Sequence, residues 1–118
     1  MNDSWNVNYY EKGNGKMPAL EFIKGLPIKL RAKAFKDIEK LKIYGIKLTM
    51  PFSRYMKNGI YELRIQQSNL NARVFYFFVV EKTIIITNGF LKKTERTPSG
   101  ELNKALTYKT DYERNHKS

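Results

Sequence analysis

The second half of the chain contains three strand-like segments separated by short polar turns, at residues 60–66, 72–80 and 83–90. A loop through Met50-Pro51 precedes them. Connections this short join antiparallel neighbours, because parallel strands need a crossover of a dozen or more residues. The sequence therefore predicts an antiparallel meander, which limits the possible folds more than any other feature of the chain.

The first half of the chain predicts one strand and two helices. Apolar and polar residues alternate over residues 5–10, as they do in a half-buried strand. Pro18 suits the start of a short helix that Gly25 would end in a left-handed conformation. Pro27 suits the start of a longer helix that stops at Gly45.

Thr97-Pro98 predicts the start of a C-terminal helix. The complete order indicates an α+β fold, in which an N-terminal strand and two helices pack on a mainly antiparallel twisted sheet and a helix ends the chain. We expect the helices to cover one face of the sheet and to leave the other face free for a ligand. A chain of 118 residues fits a single domain spanning residues 1–118.

The charge of the chain points to a polyanionic partner. The sequence has 22 Lys and Arg against 11 Asp and Glu, a formal net charge of +11, which favours RNA or DNA binding. There is no Cys and His116 is the one histidine, which excludes a disulfide framework and a two-histidine ribonuclease mechanism. We therefore expect no metal and no cofactor. Residues 1–5 show no leader pattern, so we expect a cytoplasmic protein without membrane contact.

The predicted second helix carries a basic stripe of lysines at three- and four-residue steps, comprising Lys29, Lys33, Lys36 and Lys40. Such a stripe can follow a phosphate backbone or bind an acidic partner. A merely solubilising surface is the commoner role of a charged helix face, and we favour it here.

Side chains alternate between the two faces of a strand, so Glu62, Arg64 and Gln66 share the face opposite Tyr61 and its neighbours. A hairpin centred on Ser68-Asn69 would set Arg64 directly across from an arginine of the next strand, Arg73. Like charges at that distance destabilise a sheet, and a bound phosphate would remove this penalty.

A two-residue turn at Glu81-Lys82 would then set Arg73 opposite Phe90. This register brings Lys92 and Lys93 to the same end of the sheet, so that four cations converge. A one-residue slip would send the arginines to opposite faces.

The alternative for Arg64 and Arg73 is an ordinary pair of surface arginines matched by Glu62, Glu81 or Glu95. The aromatic run at residues 75–78 is expected to form core on both faces of a covered strand rather than a platform for stacked bases.

Several segments together resemble the phage-derived, HigB-like branch of the RelE/ParE toxin superfamily. The resemblance covers the chain from Trp5 to Tyr112, and the combination of its motifs is specific although each motif alone is weak. The segments are Phe22-Ile23-Lys24-Gly25-Leu26-Pro27, Pro51-Phe52-Ser53, Asn58-Gly59-Ile60-Tyr61-Glu62-Leu63-Arg64-Ile65, Arg73-Val74-Phe75-Tyr76-Phe77, Gly89-Phe90-Leu91-Lys92-Lys93-Thr94 and Thr97-Pro98.

This resemblance implies a RelE-like fold and a toxin of a type II toxin-antitoxin system. It implies a ribosome-dependent mRNA interferase that enters the ribosomal A site and cleaves the messenger, with a HigA-like antitoxin that carries a helix-turn-helix. It also implies that Arg64 and Arg73 line the RNA site together with Lys92 and Lys93. Where RelE has lysines on the second strand this chain has Ile60 and Glu62, and RelE's catalytic tyrosine has no clear counterpart.

We expect a metal-independent endoribonuclease reaction in which Arg64 and Arg73 stabilise the phosphorane. Lys93, with a pKa lowered by those cations, would act as the base, and Lys92 or Tyr61 would be an alternative proton carrier. The candidate catalytic residues are thus Arg64, Arg73, Lys92, Lys93 and Tyr61, and the candidate RNA-binding residues are Lys57, Arg64, Arg73, Lys92 and Lys93.

Two other functions agree with the same sequence. A ParE-like toxin shares the fold but inhibits DNA gyrase, and the clustered cations argue against it, because a gyrase poison needs no centre for phosphate cleavage. A non-catalytic basic nucleic-acid-binding module would need only the net charge of +11.

Overall fold

The computed structural model describes residues 4–116, which form a five-stranded mixed sheet and three α-helices. Residues 1–3, which belong to the N-terminal segment without a leader pattern, and residues 117–118 lie outside the described part. The strands are β1 (Asn6–Tyr9), β2 (Ser53–Lys57), β3 (Ile60–Gln67), β4 (Leu70–Val79) and β5 (Thr83–Leu91), and the helices are α1 (Pro18–Lys24), α2 (Ile28–Tyr44) and α3 (Ser99–Asn115). The predicted α+β class is confirmed, and the arrangement agrees with a RelE-like fold.

The strands lie in the order β1-β5-β4-β3-β2. β1 runs parallel to β5, and the other three pairings are antiparallel. The meander of β3, β4 and β5 is therefore confirmed as the centre of the sheet.

Both faces of the sheet are covered, so the expectation of a free face is wrong. On one face, α1 and α2 bury residues such as Ile23 and Leu30 against Val74 and its neighbours. On the other face, α3 packs on Phe75, Phe77 and Ile85 through Ala105 and the residues around it. The physical reason is that β4 carries large apolar side chains on both sides, as the aromatic run indicated, and burial of each side requires a covering layer.

The sequence pattern failed to predict β2. Its sequence Ser-Arg-Tyr-Met-Lys has no apolar alternation, and it is an edge strand whose arginine and lysine are exposed. Charged residues are common on edge strands, where they prevent pairing with other chains. The periodicity of a core strand is therefore missing at residues 53–57.

The register of the meander agrees with the prediction at its functional end, although one turn was wrong. The first hairpin pairs Gln67 with Leu70, as expected for a turn at Ser68-Asn69. The second hairpin pairs Val79 with Thr83, which leaves three residues in the turn instead of two.

A β-bulge compensates for the longer turn. Between the pairs Tyr76–Ile86 and Val74–Gly89, β5 has two intervening residues, Thr87 and Asn88, where β4 has one. Beyond the bulge, Arg73 therefore lies opposite Phe90 as predicted. The Asn88 amide also donates a hydrogen bond of 3.1 Å to the Glu101 carbonyl oxygen, which ties the bulge to α3.

The glycines that end α1 and α2 differ in conformation. Gly45 has a φ of 54°, and a Cβ at this position would overlap the indole of Trp5. Gly25 has a φ of −85°, so the predicted left-handed cap is wrong at α1. Its backbone N–H instead bonds carbonyl oxygens of the last turn in a right-handed geometry, which any residue can adopt. Within residues 4–116, no helix combines the length and the apolar character needed to cross a bilayer.

Candidate functional site

Arg64 of β3 and Arg73 of β4 lie directly opposite each other in the sheet. Both side chains are on the α3 face, because Arg73 alternates in step with Phe75 and Phe77. α3 packs on the phenylalanines, and the arginines lie beyond them toward the end of the strands. The predicted juxtaposition of the two arginines is therefore present.

Arg73 is almost fully buried, with 4% of its surface exposed. Its Nη1 donates a hydrogen bond of 3.1 Å to the Ala72 carbonyl oxygen, and its Nε lies 3.7 Å from Glu62 Oε1. That second distance is too long for a hydrogen bond, and the buried Nε–H has no hydrogen-bond partner in the described structure. A buried donor without an acceptor is unfavourable by about 1–3 kcal/mol, so an acceptor that reached this N–H would be favoured.

Burial lowers the pKa of Arg73, and the Glu62 carboxylate opposes this effect. The positive charges of Arg64 and Arg54 lower the pKa of Arg73 further. Glu62 is 1% exposed, and its Oε2 accepts a hydrogen bond of 2.8 Å from the Thr97 hydroxyl. The segment before α3 thus holds the carboxylate that faces Arg73.

Arg64 is half-buried, and within residues 4–116 no carboxylate forms an ion pair with it. Its Nη1 lies 3.6 Å from Met50 Sδ, which is a weak acceptor. Its guanidinium therefore keeps most of its donor capacity for a ligand.

Lys92 continues the hydrogen-bonding pattern beyond the end of β5, since its backbone N–H donates to the Asn71 carbonyl oxygen at 2.8 Å. Its Nζ donates to the Glu95 carbonyl oxygen, also at 2.8 Å. Burial lowers the pKa of Lys92, and the nearby Arg73 guanidinium lowers it further. Arg64 and Arg54 add to the effect, while Glu62 acts in the opposite direction.

A cleft of about 200 Å³ opens beside these cations. We call it the cationic cleft; it is lined by Lys33, Pro51, Phe52, Arg64, Gln66, Asn71 and Arg73. Both oxygens of Asp37 lie 2.7 Å from Lys33 Nζ, so Lys33 is already neutralised. Among residues 4–116, Glu62 is the one carboxylate whose charge acts on Arg73 and Lys92, whereas Arg54 and Arg64 add positive charge, so the local balance is positive.

The structure brings some of the predicted site residues together and separates others. The positive charges of Arg64, Arg73 and Lys92 interact electrostatically at the end of the sheet. Lys93, the next residue after Lys92, is exposed. Tyr61 lies on the other face, where its ring stacks on Tyr76 with 5.5 Å between centroids.

Lys57 pairs with Ile60 at the β2–β3 hairpin. It is therefore four strand positions, or roughly 13 Å, along the sheet from Arg64. This distance leaves Lys57 outside the cationic cleft.

The sequence prediction missed Arg54 and Thr97. Arg54 lies opposite Glu62 in the β2–β3 pairing, so recognition of β2 as a strand was the missing signal. Thr97 was recognised only as part of a helix start, and no local pattern predicts its bond to a residue 35 positions away. Glu62 was named as one of three possible arginine partners, and the structure selects it for Arg73.

The fold and the site define a small, basic α+β protein with an excess of positive charge around a cleft at one end of its sheet. Residues 21–110 match the family described as Phage derived protein Gp49-like (DUF891). The match spans more than half of the chain, which therefore belongs to this family of RelE-like, toxin-like proteins. No match was found among curated proteins.

Proposed function

We propose that this protein is the HigB-like toxin of a type II toxin-antitoxin system, a cytoplasmic mRNA interferase that acts on messengers in the ribosome. The observation that carries the proposal is the buried Arg73 guanidinium, whose Nε lacks a hydrogen-bond partner beside Arg64 in the cationic cleft. Guanidinium groups match phosphate oxygens in a bidentate geometry, so two of them suit a phosphate that gains charge during reaction. Membership in a toxin-like family supports the same assignment.

The proposed reaction is an in-line attack by a ribose 2′-hydroxyl on the adjacent phosphorus. The 2′-oxygen–phosphorus bond forms and the 5′-oxygen–phosphorus bond breaks, which leaves a 2′,3′-cyclic phosphate and a 5′-hydroxyl. A base takes the 2′-hydroxyl proton and an acid supplies a proton to the leaving 5′-oxygen. Arg64 and Arg73 would stabilise the extra negative charge of the phosphorane, and this step needs no metal or cofactor.

The lowered pKa of Lys92 supports this residue as the base, because burial and neighbouring cations increase its neutral fraction. Lys93 follows it directly and remains a candidate for either proton transfer. The position of Tyr61 on the opposite face argues against a direct role in the reaction.

Arg64→Ala and Arg73→Ala test the proposal, and we expect each to lower the mRNA cleavage rate by about 100-fold or more. Primer extension on total messages after brief induction measures cleavage as new 5′ ends, and growth arrest provides a second readout. Arg114→Ala alters an exposed arginine of α3 and is the matched control, expected to cleave like the wild type. Arg73→Ala removes a buried group and can therefore misfold. In that case Arg64→Ala, at a half-buried position, still tests the proposal.

A folded Arg64→Ala protein that still arrests growth and cuts messengers would refute the mechanism. Intact messages together with a DNA-damage response would instead indicate a ParE-like gyrase inhibitor. Binding without scission in translation extracts would indicate a non-catalytic nucleic-acid-binding module.

The partner that we propose is a HigA-like antitoxin with a helix-turn-helix. Co-expression of a small helix-turn-helix protein encoded beside this chain is expected to restore growth. Continued arrest in the presence of the two folded proteins would contradict the pairing.

A further inference from the structure

A second groove of about 380 Å³ adjoins the cationic cleft. Its walls include Lys40 and Tyr44 of α2, Lys47 after that helix, and Met50 and Phe52 of the following loop. Phe52 also lines the cationic cleft, so its ring forms a shared boundary between the two depressions.

The groove exposes large apolar side chains of a kind that proteins usually bury in the core. Tyr44 is 52% exposed, Met50 is 55% exposed and Phe52 is 44% exposed. Grouped apolar side chains of this size on a protein surface mark binding sites rather than ordinary surface.

The groove is also positively charged. Lys40 Nζ lies 4.4 Å from the centroid of the Phe52 ring, and Lys47 lines the same groove. In the part of the chain that the structure describes, neither lysine forms an ion pair, and no Asp or Glu is among the residues that line the groove. A ligand with both a flat apolar surface and a negative charge complements this combination.

Hydrogen bonds fix the position of Phe52 relative to the arginines. Its carbonyl oxygen accepts a hydrogen bond of 2.8 Å from the Arg64 N–H, and its own N–H donates one of 2.9 Å to the Thr49 carbonyl oxygen. These backbone bonds hold the main chain of Phe52 beside that of Arg64, so a base packed on the Phe52 ring would lie close to a phosphate bound by Arg64.

We propose that this groove binds one nucleotide of single-stranded RNA, the neighbour of the nucleotide whose phosphate occupies the cationic cleft. Its base would pack on Phe52, Tyr44 and Met50, and its phosphate would lie near Lys40 and Lys47. Aromatic surfaces beside a positively charged groove are how proteins bind unpaired bases, whereas a paired base is already stacked within its duplex. The inference rests on the proposed function and adds a base-binding subsite to it.

The test is a double-mutant cycle in which one change is a substitution in the protein and the other is an abasic nucleotide in the RNA. A fluorescent single-stranded RNA is titrated with the protein at low salt, and abasic nucleotides are introduced one position at a time. For the wild type we expect one abasic position to weaken binding by about 5- to 150-fold, the usual range for loss of one stacked base. For Phe52→Ala, binding of the intact RNA should fall by a similar factor, and the same abasic position should then have no further effect.

Phe52→Leu guards against local misfolding, since it keeps an apolar side chain and the backbone bonds to Arg64 and Thr49 while removing the aromatic surface. It should show the same loss of coupling as Phe52→Ala. Phe35→Ala is the matched control, because Phe35 is 37% exposed and lies nine residues before Tyr44, half a turn around the helix from it. We expect this control to bind and to respond to abasic RNA like the wild type.

The inference would be overturned if no abasic position weakened wild-type binding, or if the abasic effect persisted undiminished in Phe52→Leu. It would also be overturned if Phe52→Leu and Tyr44→Ala retained RNA binding but escaped neutralisation by an antitoxin, since the groove would then bind a protein. These results differ from failure of the proposed function, in which the wild type itself produces no mRNA cleavage in primer extension.

Discussion

Glu62 determines how much of the positive charge in the cationic cleft remains available. Its carboxylate lies between the buried Arg73 and the Thr97 hydroxyl, and it is itself almost completely buried. The carboxylate offsets part of the unfavourable burial of Arg73 without a hydrogen bond to Nε, which leaves this donor for a ligand. Glu62 therefore makes it possible to bury an arginine in the site that we propose binds a phosphate.

Removal of this carboxylate should destabilise the protein strongly. We expect Glu62→Ala to lower the free energy of unfolding by about 3 kcal/mol or more, because Arg73 becomes a buried charge without a counter-ion. Urea denaturation followed by circular dichroism measures the change, and Glu11→Ala, at an exposed glutamate, should stay within about 0.5 kcal/mol of the wild type. A small effect at Glu62 would show that water already solvates Arg73.

For individual residues, strand alternation and the position of one hairpin were sufficient to predict that Arg64 and Arg73 face each other. The same rules could not predict how deeply Arg73 is buried. Nor could they predict that Thr97, 35 positions away, bonds the Glu62 carboxylate that faces Arg73. Contacts between such distant residues leave no periodic signal in a single sequence.

At the level of elements, the β-bulge in β5 determines which residues reach the cleft. If the same residues of β5 continued in register without the bulge, Arg73 would lie opposite Gly89, and Lys92 would be displaced by one position and face the other side of the sheet. The register predicted from the sequence pairs Arg73 with the correct residue, Phe90, because it contains a turn that is one residue too short and lacks one bulge. The two errors cancelled.

Gly89, beside the bulge, is required by close packing. A Cβ here would lie 2.5 Å from Phe22 Cδ2 and 2.8 Å from the Arg73 carbonyl oxygen, and the backbone atom cannot move aside easily. We expect Gly89→Ala to lower the free energy of unfolding by about 1–3 kcal/mol. Gly100→Ala in α3 meets no atom within 4 Å and should instead raise it by about 0.4–1 kcal/mol.

Thermal and urea unfolding of the two variants measure this contrast. Equal effects of the two substitutions would contradict the proposed role of packing at the bulge. If a Gly89→Ala, Phe22→Leu double variant were more stable than Gly89→Ala alone, the ring of Phe22 would be confirmed as one of the groups that the added methyl group contacts too closely.

For the whole molecule, the covering of both sheet faces explains the central position of Tyr76. This residue is fully buried on the face of α1 and α2, and its hydroxyl shares a short hydrogen bond with the Ser53 hydroxyl. Burial raises the pKa of Tyr76 to about 12, from an ordinary value of 10.0. The free sheet face expected from the sequence would leave Phe75 and Phe77 uncovered, although the aromatic run itself indicated core on both sides of β4. The expectation failed because the pattern of α3 does not show which sheet face it covers.

The raised pKa of Tyr76 predicts a loss of stability at alkaline pH. The unfolded chain loses the phenolic proton near pH 10, and the folded chain retains it until about pH 12, so stability present below pH 10 declines as the pH rises between these values. The full effect of one such group is roughly 3 kcal/mol. Tyr76→Phe should therefore flatten the decline in urea midpoints measured from pH 9 to pH 11.

Tyr55→Phe changes an exposed ring and serves as the control, with a wild-type slope expected. An unchanged slope in Tyr76→Phe would show that other groups cause the alkaline transition. Tyr10, whose pKa is raised by burial and by its hydrogen bond to Asp111, would be the next residue to substitute.

The parallel pairing of β1 with β5 has a consequence for biosynthesis. Asn6 of β1 pairs with Thr83 of β5, which is added to the growing chain 77 residues later. A nascent chain therefore cannot pair β1 with β5 until β5 has been translated, and sequence-distant pairing of this kind slows folding. A polypeptide released before Thr83 is added would lack both β5 and Lys92, and such an unfinished copy would not present the complete proposed site to the cell.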